Sequence, residues 1–265
     1  MSSMAVGAIV FGCTFSGAML GMFLRAVLPA HHMTSESKDV VKLGTGLIAT
    51  LSAMVLGLLI ASAKSSFDAQ RTGFQQLSAN LVLLDHVLAR YGPETKETRD
   101  GLRKVVASII ERLWPNEAAE SPGSGVQPPA GSASALSGTG ITASGNVLFE
   151  QVRSLSPKTE GQRALQSQAL QIASDLGRTR WLLVEEQESA LPTPFLVVVV
   201  FWLSVLFLSF GLFAPPNPTV IVTLLVCALS VAGAMFLIVD LDDPFGGFIQ
   251  ISSYSLQNAL SQMNR

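Results

Sequence analysis

The chain has 265 residues, of which 49% are hydrophobic and only 14% charged, and its mean hydropathy is +0.44. That apolar excess excludes an ordinary soluble domain, and a net charge of −2 offers no basic surface for nucleic acid. Two cysteines, Cys13 and Cys227, both inside apolar stretches, exclude a disulfide scaffold and a zinc cluster.

The first predicted element is an apolar span from Ala5 to Leu28. The residues before it, Met1-Ser2-Ser3-Met4, carry no Lys or Arg, and the stretch is too long for a signal-peptide core, so it reads as a retained membrane helix. Gly17 and Gly21 form a GxxxG pair, a small face for close helix packing, and Arg25 lies one turn from an end where it can snorkel. The loop from Pro29 to Lys42 follows. It holds His31-His32 near Glu36 and Asp39, a poor metal site without further converging ligands.

The second span, Leu43 to Ala63, does not stop at the membrane. No proline interrupts the chain up to Tyr91, and Phe74, Leu77, Leu81, Leu84, Leu88 and Tyr91 recur at steps of three and four, with Phe67 before them. The spacing predicts one continuous helix over 43–91, roughly 73 Å long at 1.5 Å per residue, ended by Gly92-Pro93. Its apolar seam is free to pack within one subunit or between subunits. A second amphipathic helix is predicted from Glu94 to Leu113, with Leu102, Val105, Val106, Ile109, Ile110 and Leu113 on one face. Trp114-Pro115 closes it. Residues 117–145, rich in Gly, Ser, Ala and Pro, are predicted to be a disordered loop. Ser156-Pro157 reads as an N-cap with proline at N1, opening a helix to Leu191 that Pro192 and Pro194 break.

Two further spans run from Phe195 to Ala214 and from Thr219 to Val239. All four spans are about 20 residues or longer, enough to cross a hydrocarbon core ~30 Å thick. The last runs into Asp240-Leu241-Asp242-Asp243-Pro244-Phe245-Gly246, three carboxylates followed by a sharp turn. Two readings stand: a cation-coordinating or gating cluster, or a solvated stop sequence that ends the helix. No run alternates like a strand.

The predicted fold is therefore all-α and integral to the membrane, with four transmembrane helices in a 2+2 arrangement. Residues 1–63 form a first hairpin, 64–194 a polar helical bundle built partly on extensions of the membrane helices, 195–240 a second hairpin and 241–265 a C-terminal segment. Even membrane crossings put both termini and the bundle on one side. Basic residues near the span ends nearly balance, Lys64, Arg71, Arg178 and Arg180 against Arg25, Lys38 and Lys42. Retained spans and a polar region without cysteine favour the cytoplasmic side of a bacterial inner membrane. No phosphate-binding loop, nucleophile elbow or zinc-protease motif occurs, and the third histidine, His86, stands beside Asp85 alone. No enzyme and no cofactor are predicted.

The chain resembles the bestrophin-like domain family of mostly bacterial four-span membrane proteins. The resemblance covers nearly the whole length and is carried, in order, by Leu28-Pro29 with His31-His32, Ser37 to Gly44, Leu56-Gly57-Leu58-Leu59, Ala63 to Asp68, Leu83-Leu84-Asp85, Tyr91-Gly92-Pro93-Glu94, Phe201-Trp202, Ser209-Phe210-Gly211-Leu212 and Ala228-Leu229-Ser230. Asp243-Pro244-Phe245-Gly246 is similar to the segment after the last span of true bestrophins, pentameric anion channels whose second span lines the pore. The resemblance implies a homo-oligomer, a pentamer, with the 43–91 helix nearest the axis and an ion as permeant partner. It makes Gly46, Thr50, Ala53, Gly57, Ala61 and Lys64 a face that borders the axis or packs on a neighbour. It puts Lys64 and Arg71 at the cytoplasmic mouth, and Asp240, Asp242, Asp243, Pro244, Phe245 and Gly246 in the gate region. The sequence departs from bestrophins in having no Phe, Tyr or Trp from Leu43 to Ser66 and no longer acidic run after Gly246. A non-conducting membrane scaffold or sensor whose helical region binds a partner is the alternative.

Overall fold

The computed structural model describes residues 2–27, 35–114, 139–188 and 193–264. Among these there is no β-strand. The helices are α1 (Ser3–Val27), α2 (Ser35–Tyr91), α3 (Lys96–Leu113), α4 (Thr139–Arg153), α5 (Glu160–Glu188), α6 (Thr193–Phe213), α7 (Pro218–Leu241) and α8 (Tyr254–Met263). Four are long and apolar enough to cross a membrane: α1, α6, α7 and the apolar half of α2. The His31-His32 pair and most of the predicted disordered loop lie outside the described residues.

The chain divides into two compact units, Met1–Ser66 with Leu191–Asp243, and Phe67–Ala190 with Pro244–Arg265. In the first, apolar packing alone gives little preference for one helix neighbour over another in lipid, so close backbone approach decides. The GxxxG pair of α1 finds that approach on α6. A Cβ built on Gly17 would stand 2.9 Å from the Ser204 carbonyl oxygen, one on Gly21 would collide with the Leu208 carbonyl, and one on Gly211 with the carbonyl of Ala18. Gly12 of the same helix has open space around it. Val10, Leu59, Ala63, Val199, Met235 and Ile238 form the core where α1, α2, α6 and α7 meet. Arg25, predicted to snorkel, donates to the Phe213 and Ala214 carbonyls, a cation at the C-terminus of α6 where the helix dipole is negative.

In the second unit the predicted seam is buried inside the chain. Phe67, Phe74, Leu77, Leu81, Leu84, Leu88 and Tyr91 are all covered, as are Leu102, Val106, Ile109, Ile110 and Leu113 of α3. This resolves the choice left open by the spacing, since the seam is satisfied without a second copy. The corner between α2 and α3 turns on Gly92, whose φ of 141° favours glycine, followed by one 3₁₀ turn over Pro93–Thr95. Buried Thr95 closes it, donating its hydroxyl to the Leu88 carbonyl at 2.6 Å or that of Gly92 at 2.9 Å. Asp85, on the α2 side, accepts two 2.8 Å bonds from the Arg99 guanidinium of α3. That paired carboxylate holds Arg99 above the ordinary arginine pKa.

Three boundaries differ from the sequence reading. The stretch predicted to be disordered through residue 145 is helical from Thr139, because Leu148 and Val152, four apart, give α4 an apolar side, with Val152 buried. α5 opens at Glu160, not after Ser156. Thr159 is the N-cap, accepting from the Gln162 amide at 3.1 Å, while the Gln162 side chain reaches back to the Lys158 amide, a close variant of the T-x-x-Q capping box. α2 begins at Ser35, eight residues before the predicted start.

Past α7 the chain enters the second unit at Pro244. Phe245 is buried edge-on against Phe74 and Trp114, at ring-centroid distances of 5.3 and 5.6 Å. Trp114 in turn donates its indole N–H to the Ile251 carbonyl at 2.7 Å, and the Ile251 amide donates to Pro244. Two outcomes follow. Gly21→Leu is expected to lower the thermal stability of detergent-solubilised protein by at least about 1–3 kcal/mol, the usual penalty of overpacking, while Gly12→Leu leaves it unchanged. Phe245→Ala is expected to cost about 3 kcal/mol, with Phe245→Leu costing less. Both are read by circular-dichroism melts.

Candidate functional site

The second span is the least covered of the four. Within its most apolar window 17% of residues are buried, against 28–33% in the others. Ile48, Ser52, Val55, Leu56, Leu59 and Ala63 line its packed side. Gly46, Thr50, Ala53, Gly57, Ala61 and Lys64 are all exposed, and at 3.6 residues per turn they fall within about 80° of arc, roughly opposite the packed side. Nothing stands within 4 Å of a Cβ built on Gly46 or Gly57. The Thr50 hydroxyl is held by the Gly46 carbonyl of its own helix at 3.0 Å, so it adds no donor to this stripe. From Gly46 to Ala61 the stripe is thus narrow and lined by small side chains, and it ends at Lys64.

Lys64 and Arg71 are both exposed on α2, seven residues or about two turns apart. Asp68, also exposed, falls between them in the same helical register. The sequence reading named the two cations and passed over this carboxylate. The i, i+4 step from Lys64 was visible in the sequence and makes the row alternate in charge.

The acidic turn does not act as one cluster. Asp240 is fully buried in the first unit and accepts a 2.9 Å bond from the Ser3 hydroxyl at the start of α1. Asp242 is half-buried and Asp243 exposed. Pro244 and Phe245 are buried in the second unit, and Gly246 is exposed. Among the described residues, no three His, Cys, Asp or Glu side chains come together as a metal site would require. What sequence reasoning missed here is the pairing of Asp240 with Ser3, which no local spacing announces because the two are 237 positions apart.

Among solved structures, two single-site variants of a bacterial bestrophin homologue from Klebsiella pneumoniae share the fold. One superposes with a TM-score of 0.65 at 11% identity, covering 98% of this chain and 99% of that one. The other gives 0.62 at 11% identity, with 94% and 97% covered. A crystal structure described as a membrane protein variant gives 0.64 at 10% identity, with 96% and 97% covered. A search of curated proteins finds no match. The model of the bestrophin-like domain matches residues 12–256. The chain, a membrane protein with four apolar spans, belongs to the bestrophin-like domain family.

Proposed function

We propose that this protein is a homo-oligomeric, channel-like membrane protein in which copies of α2 stand nearest a common axis and ions pass along its small-residue stripe. The observation that carries the reading is the bare side of the second span: a helix packed along one side and smooth along the other accommodates an axis or a neighbouring copy. Family resemblance supports five as the subunit number in this reading. It also supports the 2+2 arrangement, with both termini and the helical bundle in the cytoplasm beneath a bacterial inner membrane.

In this reading Lys64 and Arg71 draw anions to the cytoplasmic mouth, and Asp68 between them moderates the preference. Asp242 and Asp243 attract cations at the end of α7 and bear on gating, with the buried Pro244 and Phe245 and the turn at Gly246 holding that segment in place. Asp240, turned to Ser3, has a structural role in joining α7 to α1. The scaffold reading draws on one feature, the absence of any charged side chain between Lys42 and Lys64.

The oligomer reading predicts a detergent-corrected mass near five times 28.1 kDa by light scattering. A monomer or dimer that stays silent in planar bilayers would favour the scaffold. In conducting protein, Lys64→Glu combined with Arg71→Glu is expected to shift the anion-to-cation permeability ratio toward cations by roughly three- to tenfold, as local charge does at a pore entrance. An unchanged reversal potential would remove these residues from the ion path.

A further inference from the structure

In the first unit a groove of about 480 Å³ opens between α2 and α6, with buried Leu224 of α7 beneath it. Ala49, Phe210 and Phe213 wall it, and Gly46 adds no side chain on the α2 side. Its volume falls in the range of ligand pockets. Lys42 is the one charged side chain among the described residues that line it. Asp39, one turn earlier on α2, lies outside the lining. Ser209 of α6 also lines it and is 6% exposed. Thr45, Ser204, Thr223 and Ser230 return their hydroxyls to carbonyls of their own helices. Among the described residues, neither the Ser209 hydroxyl nor the Lys42 ammonium has such a partner. A buried hydroxyl left unpaired in lipid is costly unless a ligand accepts from it. Arg25 already holds the Phe213 and Ala214 carbonyls at this end of α6, so an arriving anion meets no bare helix C-terminus.

We propose that this groove binds an anionic glycerophospholipid. Its phosphate sits at Lys42, an ester carbonyl accepts from the Ser209 hydroxyl, and an acyl chain lies against Phe210 and Leu224. From Lys42 to Ala49 the lining runs roughly 10 Å along α2, enough to lead from a headgroup into hydrocarbon. A free phosphate would satisfy Lys42 and leave the apolar walls bare. A zwitterionic headgroup would bring its own cation to Lys42 with no acid in the described lining to receive it. Phe210 is 50% exposed, so the groove is reached from outside the bundle. The inference is independent of ion conduction, since Lys42, Thr45 and Ala49 lie beside the small-residue stripe, on the side where α6 meets α2.

The test is native mass spectrometry of the full chain in nonionic detergent, titrated with palmitoyl-oleoyl phosphatidylglycerol. The expected result is one retained lipid per chain, with palmitoyl-oleoyl phosphatidylcholine binding at least about tenfold more weakly. Lys42→Gln should weaken phosphatidylglycerol at least about tenfold and remove most of its advantage over phosphatidylcholine. Ser209→Ala should weaken both lipids by about three- to tenfold, because both carry the ester carbonyl. Circular-dichroism melts of the two variants separate these effects from a loss of fold. The proposal is overturned by equal binding of the two lipids, or by Lys42→Gln protein that binds as the parent does. It is also overturned if glycerol phosphate displaces the lipid at equal concentration, which would show that the site reads the phosphate alone. An oligomer that retains no lipid overturns it as well, and its dissociation on Phe210→Ser would mark the groove as filled by a neighbouring copy. Protein that binds phosphatidylglycerol and stays silent in planar bilayers sinks the channel reading alone. Conducting protein without lipid preference sinks this one alone.

Discussion

Lipid tails are as apolar as leucine, so membrane helices gain little from hiding apolar side chains against one another, and what orders them is how closely their backbones can approach. In this protein that constraint is met between α1 and α6, where Gly17, Gly21 and Gly211 leave no room for a side chain. The pair is locked at one end by Arg25 on the last carbonyls of α6, while Ser3 joins the start of α1 to Asp240 of α7. Around this frame α2 contributes Leu59 and Ala63 to the core and keeps its glycine stripe outside. A bare stripe on a packed helix is the feature from which a functional reading starts.

The second unit follows the ordinary rules of water-soluble packing. Its stability comes from apolar burial along the seam of α2 and the facing side of α3, with specificity added by polar contacts at the corner. Thr95 and the Asp85–Arg99 pair set how α3 leaves α2. Trp114, Phe74 and Phe245 fix the segment after α7 through edge-to-face contacts, each weak alone and directional together.

Much of this was legible in the sequence, for physical reasons that also explain the misses. The four spans and the seam announce themselves because hydropathy over ~20 residues and a three-four repeat are properties of one contiguous stretch. The GxxxG pair was visible too, although its partner on α6 was not, since nothing local says which helix a small face will meet. The start of α5 was misjudged because Ser156-Pro157 imitates a cap, whereas the reciprocal bonds of Thr159 and Gln162 satisfy two amides at once. α4 was hidden by its glycine- and serine-rich neighbourhood and is helical because Val152 finds a buried place. Asp240 looked like one of three equivalent carboxylates; burial separates it from Asp243, and burial is a property of the fold.

The account's central claim is that the uncovered stripe of α2 faces the ion path. The most direct measurement is current through Gly57→Cys protein in planar bilayers, in a Cys13→Ser, Cys227→Ser background, before and after a charged, membrane-impermeant thiol reagent. The account predicts that the current falls on modification and recovers on reduction, with no effect in the cysteine-free background. A current that the reagent leaves unchanged, although labelling of Gly57→Cys is complete by mass, would contradict it.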